Sequence, residues 1–362
     1  MLYYLFYPLH EAISFFNIFR YITFRAIMAT LTAFLISIIF GPSVIRLIAR
    51  LSIGENIRKE ESKELYEHHK YKQGTPTMGG VLILLAVCIS TFLWAELDNR
   101  YILLALFGTL WLGITGFMDD YLKHVRKCSQ GLTATAKFTS QIMLGLILGA
   151  ILYLGPNSNT VLDIPFLKDV SVHLGVFYIL FVILVITGSS NAVNLTDGLD
   201  GLAIGSVVFA AIPFAVLCYV SGHIKFSDYL LVAYIKGAGE LTIFCSSIIG
   251  AGLGFLWFNC YPASVFMGDV GSLALGGALG ITALLIKKEL LLVIVGGIFV
   301  VEAFSVILQV AWFKLTKKRI FRCSPLHHHF QFLGWPENKI IVRFWIVGVI
   351  LALLTLVTLK IR

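Results

Sequence analysis

The sequence contains few charged residues and lacks the long polar stretches that separate soluble domains. Only 13% of its 362 residues are Asp, Glu, Lys or Arg, whereas 58% are hydrophobic and the mean hydropathy is +0.88. This composition excludes an ordinary soluble globular protein. Apolar runs recur from end to end, so we predict one all-α, polytopic integral membrane domain over residues 1–362.

Thiol motifs and the features of a cleavable leader are also missing. The six cysteines form no C-x-x-C pair and lie mostly in apolar runs, where we expect them to pack as small hydrophobic side chains. Residues 1–24 are aromatic and weakly amphipathic, without a basic n-region or a small-residue cleavage site. We therefore predict an interfacial N-terminal lead-in rather than a signal peptide.

Ten segments are candidates for membrane-spanning helices, each of which needs about 20 mostly apolar residues. They are centred roughly on 25–48, 79–97, 101–118, 136–154, 174–190, 201–220, 240–258, 270–286, 290–313 and 341–359. An even number of spans places both termini on the same side of the membrane.

The distribution of basic residues predicts which side that is. The loops after the first, third and ninth spans contain 18 of the 28 lysines and arginines. By the positive-inside rule these loops are cytoplasmic and both termini face outward. We attribute the net charge of +8 to this bias and to contact with anionic membrane lipids, and predict no nucleic-acid partner.

Four polar motifs follow the third, fifth, seventh and ninth spans, so all four fall on the predicted cytoplasmic face. They read "MDDY", "NAVNLTDGLDG", "VFMGDVGS" and "SPLHHHF". Carboxylates beside hydrocarbon are costly unless they are paired, metal-bound or hydrated. We interpret the four motifs as one functional site, with solvated helix ends as the alternative.

The positions of the aspartates in these motifs predict that they have different functions. Asp119 and Asp120, if helical, point about 100° apart and should not do the same job. Asn194, Asp197 and Asp200 recur at i, i+3 and i+6, which predicts alignment along one side of a helical turn, although a capping turn is the alternative.

Asp269 lies between glycines at the start of the eighth span. There it would cap the helix or bind Mg²⁺ together with diphosphate oxygens.

The internal histidine triplet raises the question of a metal site. Consecutive histidines do not have the spacing of zinc ligands, so zinc is the weaker interpretation. Basic residues just upstream favour a loop whose imidazoles donate hydrogen bonds to phosphate. A solvated loop without a ligand is the alternative interpretation. In the ninth span, Glu302 and Gln309 are ambiguous, because each could simply bond to a neighbouring helix.

With these motifs the sequence resembles the polyprenyl-phosphate N-acetylhexosamine-1-phosphate transferases. The "DD", "NAVNLTDGLDG" and "GDVGS" blocks match the whole superfamily, and "PLHHHF", "KQGTPTMGG" and "FLWFNCYPASVFMGD" resemble its peptidoglycan branch. The resemblance runs from about Phe24 to Arg362. It implies Mg²⁺-dependent transfer of phospho-MurNAc-pentapeptide from UDP-MurNAc-pentapeptide to undecaprenyl phosphate at the cytoplasmic leaflet of the bacterial inner membrane, giving lipid I and UMP.

The resemblance also implies roles for individual residues. Asp269 would bind Mg²⁺, Asp119 would deprotonate or position the lipid phosphate, and Asp120 would support the metal or a lysine. The uridine-diphosphate side would be formed by Asn191, Asn194, Asp197, Gly198, Leu199, Asp200 and Phe266. Phosphates or the sugar would be bound by Lys72, Thr77, Lys123, Lys127, Lys137, His327, His328 and His329, with His327 counted among the catalytic residues.

Several alternatives stay open at this point. A sibling transferase using UDP-GlcNAc or another UDP-sugar fits the shared blocks, and a transporter fits ten spans with buried polar groups. Direct attack and a covalent aspartyl-phosphate intermediate are both compatible with the Asp pair. Self-association as a homodimer is likewise open.

Overall fold

A computed structural model describes residues 1–50, 74–126, 131–155, 160–164 and 171–360. The described α-helices are α1 (Leu2–Phe6), α2 (Ile22–Arg50), α3 (Gly80–Trp94), α4 (Arg100–His124), α5 (Ala134–Leu154), α6 (Phe177–Thr196), α7 (Leu202–Ser221), α8 (Ile224–Leu230), α9 (Leu241–Asn259), α10 (Gly268–Leu285), α11 (Leu291–Val295), α12 (Gly297–Thr316), α13 (Leu326–Phe332) and α14 (Glu337–Val357). Two short strands, β1 (Val161–Asp163) and β2 (Ser171–His173), pair antiparallel between α5 and α6. Short 3₁₀ helices at Tyr7–Glu11 and Ser14–Arg20 precede α2, and a third at Ala238–Glu240 leads into α9.

The predicted all-α polytopic architecture is confirmed. Within the described ranges, nine helices are long and apolar enough to cross a membrane. The predicted second span, 79–97, corresponds to α3, which has only 15 residues. At about 1.5 Å per residue this helix is about 22 Å long, shorter than the hydrocarbon core of about 30 Å.

Helix α10 lies at the centre of the bundle. All of its residues from Val270 to Leu285 are buried, and it packs against α3, α4, α6 and α7. A glycine allows the close contact with α4, because a Cβ at Gly116 of α4 would overlap the backbone of Asp269. The absence of that Cβ brings the end of α4 directly against the start of α10.

The end of the bundle at which α4 begins is held together by a buried ion pair. Arg25 of α2 donates to both carboxylate oxygens of Glu240, at 2.6 and 2.8 Å, and also contacts Glu96 after α3. Beside it, Asn99 joins the start of α4 to Gly237. The polar motifs lie at the opposite end of the bundle, near the C-terminal end of α4.

Candidate active site

Three carboxylates meet where the C-terminal part of α4 contacts the first turn of α10. Asp119 and Asp120 are buried on α4, and Asp269 is the second residue of α10. One oxygen of each lies within 4.8 Å of the others, and in the described part of the chain this is the one group of three acidic, histidine or cysteine side chains placed closely enough for a metal ion. The sequence motifs "DD" and "GDVGS" therefore converge.

Two lysines bridge this acid cluster, which we define as Asp119, Asp120 and Asp269. Lys137 Nζ, from the first turn of α5, lies 2.8 Å from Asp119 Oδ2 and 2.5 Å from Asp269 Oδ2. Lys123 Nζ lies 2.5 Å from Asp119 Oδ2 and 3.4 Å from Asp269 Oδ2. The ammonium groups neutralise part of the carboxylate charge, and the predicted contacts of both lysines with phosphate or sugar stay predictions.

The adjacent aspartates have different surroundings, as their helical spacing predicts. Asp119 accepts from both lysines and, through Oδ1, from the backbone N–H of Leu132 at 2.7 Å. Asp120 turns away and accepts from the N–H of Val270 at 3.1 Å, which caps the first turn of α10. One carboxylate therefore binds cations, and the other fixes the helix that carries Asp269.

The donor set of the acid cluster fits a hard divalent cation. Carboxylate oxygens are the ligands that Mg²⁺ prefers, and the cluster contains neither thiolate nor imidazole. Three carboxylates against two ammonium groups also leave an excess of negative formal charge, which a bound cation would neutralise.

The "NLTDGLDG" segment departs from the predicted helical alignment. Helix α6 ends at Thr196, Asp197 leaves helical geometry with φ −80° and ψ 52°, and Gly201 has a φ of 78° before α7 begins. The prediction that Asn194, Asp197 and Asp200 lie along one helical turn is therefore wrong. The reason is that helical geometry is already lost at Asp197, and Gly201, in the left-handed region that glycine readily adopts, then leads the chain into α7.

This α6–α7 loop is bonded to two distant segments. Asp200 Oδ2 accepts from the N–H of Ala263 at 2.9 Å, and the N–H of Asp200 donates to Glu337 at 3.0 Å. Asn259 accepts from the N–H of Gly201 at 3.0 Å and donates to the carbonyl of Val265 at 2.8 Å. We call Asp200, Asn259 and Glu337 the loop latch. Asn259 and Glu337 were not predicted from the sequence, because each is a single polar residue whose partner lies far away along the chain.

The latch positions the segment that carries Phe266. The N–H of Phe266 donates to the carbonyl of Pro76, and its own carbonyl accepts from the N–H of Gly79, both at 2.8 Å. This pairing places the buried Thr77 beside Gly268, at the entry to α10. The "TPTMGG" and "VFMGD" stretches are thus neighbours, at the same end of the bundle as the acid cluster.

Asn191, Asn194 and Leu199 occupy different environments. Asn191 donates to Gln141, which lies one turn beyond Lys137 on α5, at 2.8 Å. Asn194 is half-buried on the last turn of α6. Leu199 is 3% exposed and packs in an apolar cluster with α7 and α14, so its side chain has a packing role, and its contact with substrate stays a prediction.

The three histidines lie on the short helix α13 and have three different environments. His327 is buried with its Nδ1 3.2 Å from Glu302 Oε2. His328 Nδ1 lies 2.8 Å from Gln331, and His329 Nδ1 accepts from the N–H of Arg322 at 3.1 Å. Their Nδ1 atoms therefore lie against three different groups.

The chain is similar to known proteins over its whole length. Residues 102–287 match the glycosyl transferase family 4, and residues 72–84 match signature 1 of the phospho-N-acetylmuramoyl-pentapeptide-transferases. Relatives named phospho-N-acetylmuramoyl-pentapeptide-transferase are 55% identical in Desulforapulum autotrophicum, 54% in Desulfatibacillum aliphaticivorans and 53% in Desulfosudis oleivorans, with 100% of both chains covered in each case. The chain belongs to the phospho-N-acetylmuramoyl-pentapeptide-transferase family.

The matched regions of this transferase family correspond to the site described above. The longer match contains the acid cluster, both lysines and the α6–α7 loop, and the signature contains Lys72 and Thr77. Helix α13 lies beyond both and is covered by the full-length relatives. Lys72 and Lys127 lie outside the described residues, so their predicted contacts with phosphate or sugar stay predictions.

Proposed function

We propose that this protein transfers phospho-MurNAc-pentapeptide from UDP-MurNAc-pentapeptide to undecaprenyl phosphate, giving lipid I and UMP. The observation that carries the proposal is the acid cluster with its two lysines, at one end of a membrane bundle whose full-length relatives are named for this transfer. A lipid phosphate and a water-soluble nucleotide sugar have to meet at a membrane surface. A site at a helix end of a spanning protein meets that requirement.

Mg²⁺ is the cofactor that the acid cluster fits. Asp269 would bind it, with Asp120 beside it and Asp119 within reach. Bound there, Mg²⁺ would neutralise charge on the diphosphate.

Lys137 and Lys123 carry the positive charges of the site. Each now contacts two carboxylates, and each side chain is partly exposed. When a cation occupies the acid cluster, the ammonium groups can exchange carboxylate for phosphate oxygens without losing a charged partner. We infer that they bind the diphosphate and the lipid phosphate, whose charges would otherwise repel each other.

The bond changes follow from the substrates. An oxygen of the lipid phosphate forms a bond to the sugar-linked phosphorus of the nucleotide sugar, and the bond from that phosphorus to the bridging oxygen breaks, so UMP leaves with that oxygen. Asp119 accepts from both lysines, which favours a role in placing the attacking phosphate. Direct attack and an aspartyl-phosphate intermediate both satisfy this balance.

The remaining contacts are assigned by position. The α6–α7 loop with Asp197, Gly198 and Asp200, together with Phe266, would form the uridine side, and α13 would close the site with His327, His328 and His329. We place this end of the bundle at the cytoplasmic face of the bacterial inner membrane, with both termini outward, because basic residues concentrate in the same loops.

The proposed function is tested by UMP release from purified protein given undecaprenyl phosphate and Mg²⁺. We expect release with UDP-MurNAc-pentapeptide and none with UDP-GlcNAc. Release with UDP-GlcNAc alone would replace the proposal with the sibling transferase. Movement of substrate into liposomes without UMP would favour the transporter, which the clustering of polar groups at one end argues against.

A further inference from the structure

Helix α12 carries a carboxylate that the proposed chemistry does not use. Glu302 is wholly buried within this spanning helix, 0% exposed. A carboxylate at such a position is costly unless a partner stabilises it, and it marks a functional site by default. Both of its oxygens face the same residue: Oε1 accepts from the backbone N–H of His327 at 3.1 Å, and Oε2 lies 3.2 Å from His327 Nδ1.

The ring of His327 joins Glu302 to the α6–α7 loop. It is also 0% exposed, and it packs against the ring of His328 with centroids 4.2 Å apart. Its second nitrogen, Nε2, points at Gly198, where an added Cβ would overlap it. Among the described residues neither ring nitrogen of His327 makes a hydrogen bond, although Nδ1 lies 3.2 Å from Glu302 Oε2. A buried ring nitrogen without a partner calls for an explanation, and a loop proposed to bind the nucleotide provides one.

The closeness of Oε2 to Nδ1 bears on where the imidazole proton lies. Because an ionised carboxylate offers only acceptors, Glu302 at 3.2 Å from Nδ1 favours the tautomer in which Nδ1 carries the proton. Nε2 is then the end of the ring that is available to substrate. The buried aspartate of the Ser-His-Asp triad orients its histidine in the same way, and replacing it with asparagine keeps the geometry but selects the wrong tautomer.

Glu302 could instead serve only to tie α12 to α13. The bond from Oε1 to the backbone of His327 is sufficient for that task, and it does not depend on the imidazole ring. The position of Oε2 against Nδ1 is the feature that a structural tie leaves unexplained. The two roles therefore differ in whether the identity of residue 327 matters.

We propose that Glu302 is a positioning residue, which orients the His327 imidazole so that Nε2 faces Gly198 in the α6–α7 loop. The inference rests on the proposed function, because it gives His327 a role in the transfer reaction. Glu302 itself touches neither the acid cluster nor the loop in any contact described above.

The substitution Glu302→Gln tests the proton arrangement with little change in shape. The backbone N–H of His327 needs an acceptor, so the amide oxygen takes that position and the NH₂ group faces Nδ1. The proton then moves to Nε2. We expect kcat for UMP release to fall about a hundredfold, with the KM for UDP-MurNAc-pentapeptide little changed because Phe266 and the latch are untouched. A wild-type kcat would overturn the inference.

Two further variants separate positioning from a structural tie. Glu302→Asp keeps an acceptor-only carboxylate, so we expect it to be more active than Glu302→Gln; the reverse order would show that shape, not charge, matters. In a His327→Ala background, Glu302→Gln should cause no additional loss of kcat. An additive loss would show that Glu302 acts independently of His327 and would overturn the inference.

Glu240→Gln is the matched control. It makes the same substitution in another buried carboxylate, paired with Arg25 at the opposite end of the bundle. We expect a lower unfolding temperature with kcat unchanged. If wild-type protein releases no UMP, the proposed function fails; if wild-type protein is active and Glu302→Gln is equally active, only this inference fails.

Discussion

At the scale of single residues, the charge balance of the acid cluster depends most on Lys137. Its ammonium group lies within 2.8 Å of both Asp119 and Asp269, whereas Lys123 lies 2.5 Å from Asp119 but 3.4 Å from Asp269. We predict that Lys137→Met lowers kcat for UMP release about a hundredfold, since it removes one preorganised donor for the charge that develops on phosphate. Steady-state kinetics of the purified variant measure this.

Lys236→Met is the control for the loss of one lysine. Lys236 is exposed, in the loop just before Gly237 at the opposite end of the bundle. The control should keep wild-type kcat. Equal activity of the two variants would mean that Lys137 only balances charge in the resting protein.

The residues that sequence analysis found share one property. Asp119, Asp120 and Asp269 are carboxylates beside long apolar runs, a placement that is costly and therefore visible in a single sequence. Asn259 and Glu302 were not assigned roles, because an isolated polar residue at a helix end or within a span has many ordinary explanations. Their partners, Gly201 and His327, are 58 and 25 residues away, so only the folded chain identifies them.

At the scale of helices, the distance between α4 and α10 determines the geometry of the acid cluster. Gly116 lies one turn before Asp119 and Asp120, and a Cβ there would overlap the backbone of Asp269. We predict that Gly116→Ala separates the helices and lowers kcat, because a misplacement of about 1 Å can cost about a hundredfold in rate. The same assay of UMP release measures it.

Gly188→Ala is the matched control for this substitution. Gly188 is also a helical glycine, and a Cβ at this position would meet no atom within 4 Å. We expect activity and unfolding temperature close to wild type. If both alanine variants behave alike, close packing of α4 on α10 is not what places Asp269.

The loop latch predicts a different kinetic change. Asn259→Ala removes the bonds to Gly201 and Val265, and leaving buried backbone groups unpaired costs about 1–3 kcal/mol each. Because these bonds hold the segment that carries Phe266, we predict a raised KM for UDP-MurNAc-pentapeptide, with a smaller effect on kcat. Titration of the nucleotide sugar at saturating lipid measures it.

Asn99→Ala provides a control of the same chemistry. Asn99 also accepts from one backbone N–H and donates to one backbone carbonyl, at Tyr101 and Gly237, but at the opposite end of the bundle. It should lower the unfolding temperature without raising the KM. A raised KM in both variants would indicate a general loss of stability, not a specific role of the latch.

The helices themselves were largely predictable, and the turn after α6 was not. Apolar runs of about 20 residues identify spans because length and hydropathy are sufficient. The run that became α3 begins at Gly79 and Gly80 and is followed by the charged Glu96 and Asp98, and its helix has 15 residues. The turn between α6 and α7 contains the left-handed Gly201 and its bond to Asn259, which the spacing of polar residues does not reveal.

At the scale of the whole molecule, the account predicts that the two ends of the bundle face different compartments. Lys318 is exposed just after α12, in a loop that we predict to be cytoplasmic, and Lys236 is exposed at the opposite end. In a variant without native cysteines, Lys318→Cys should react with a membrane-impermeant thiol reagent only in inverted vesicles. Lys236→Cys should react only in intact spheroplasts. The opposite pattern would reverse the proposed orientation.

The central claim is that Asp269 binds Mg²⁺ where the nucleotide diphosphate meets the lipid phosphate. The most direct test follows label from the sugar of UDP-MurNAc-pentapeptide into solvent-extractable lipid, for the wild type and Asp269→Asn, over a range of Mg²⁺ concentrations. We predict that the wild type forms labelled lipid and equimolar UMP only when Mg²⁺ is present, and that no concentration of Mg²⁺ restores transfer by Asp269→Asn. Transfer by Asp269→Asn at the wild-type rate, with the same Mg²⁺ dependence, would contradict the account.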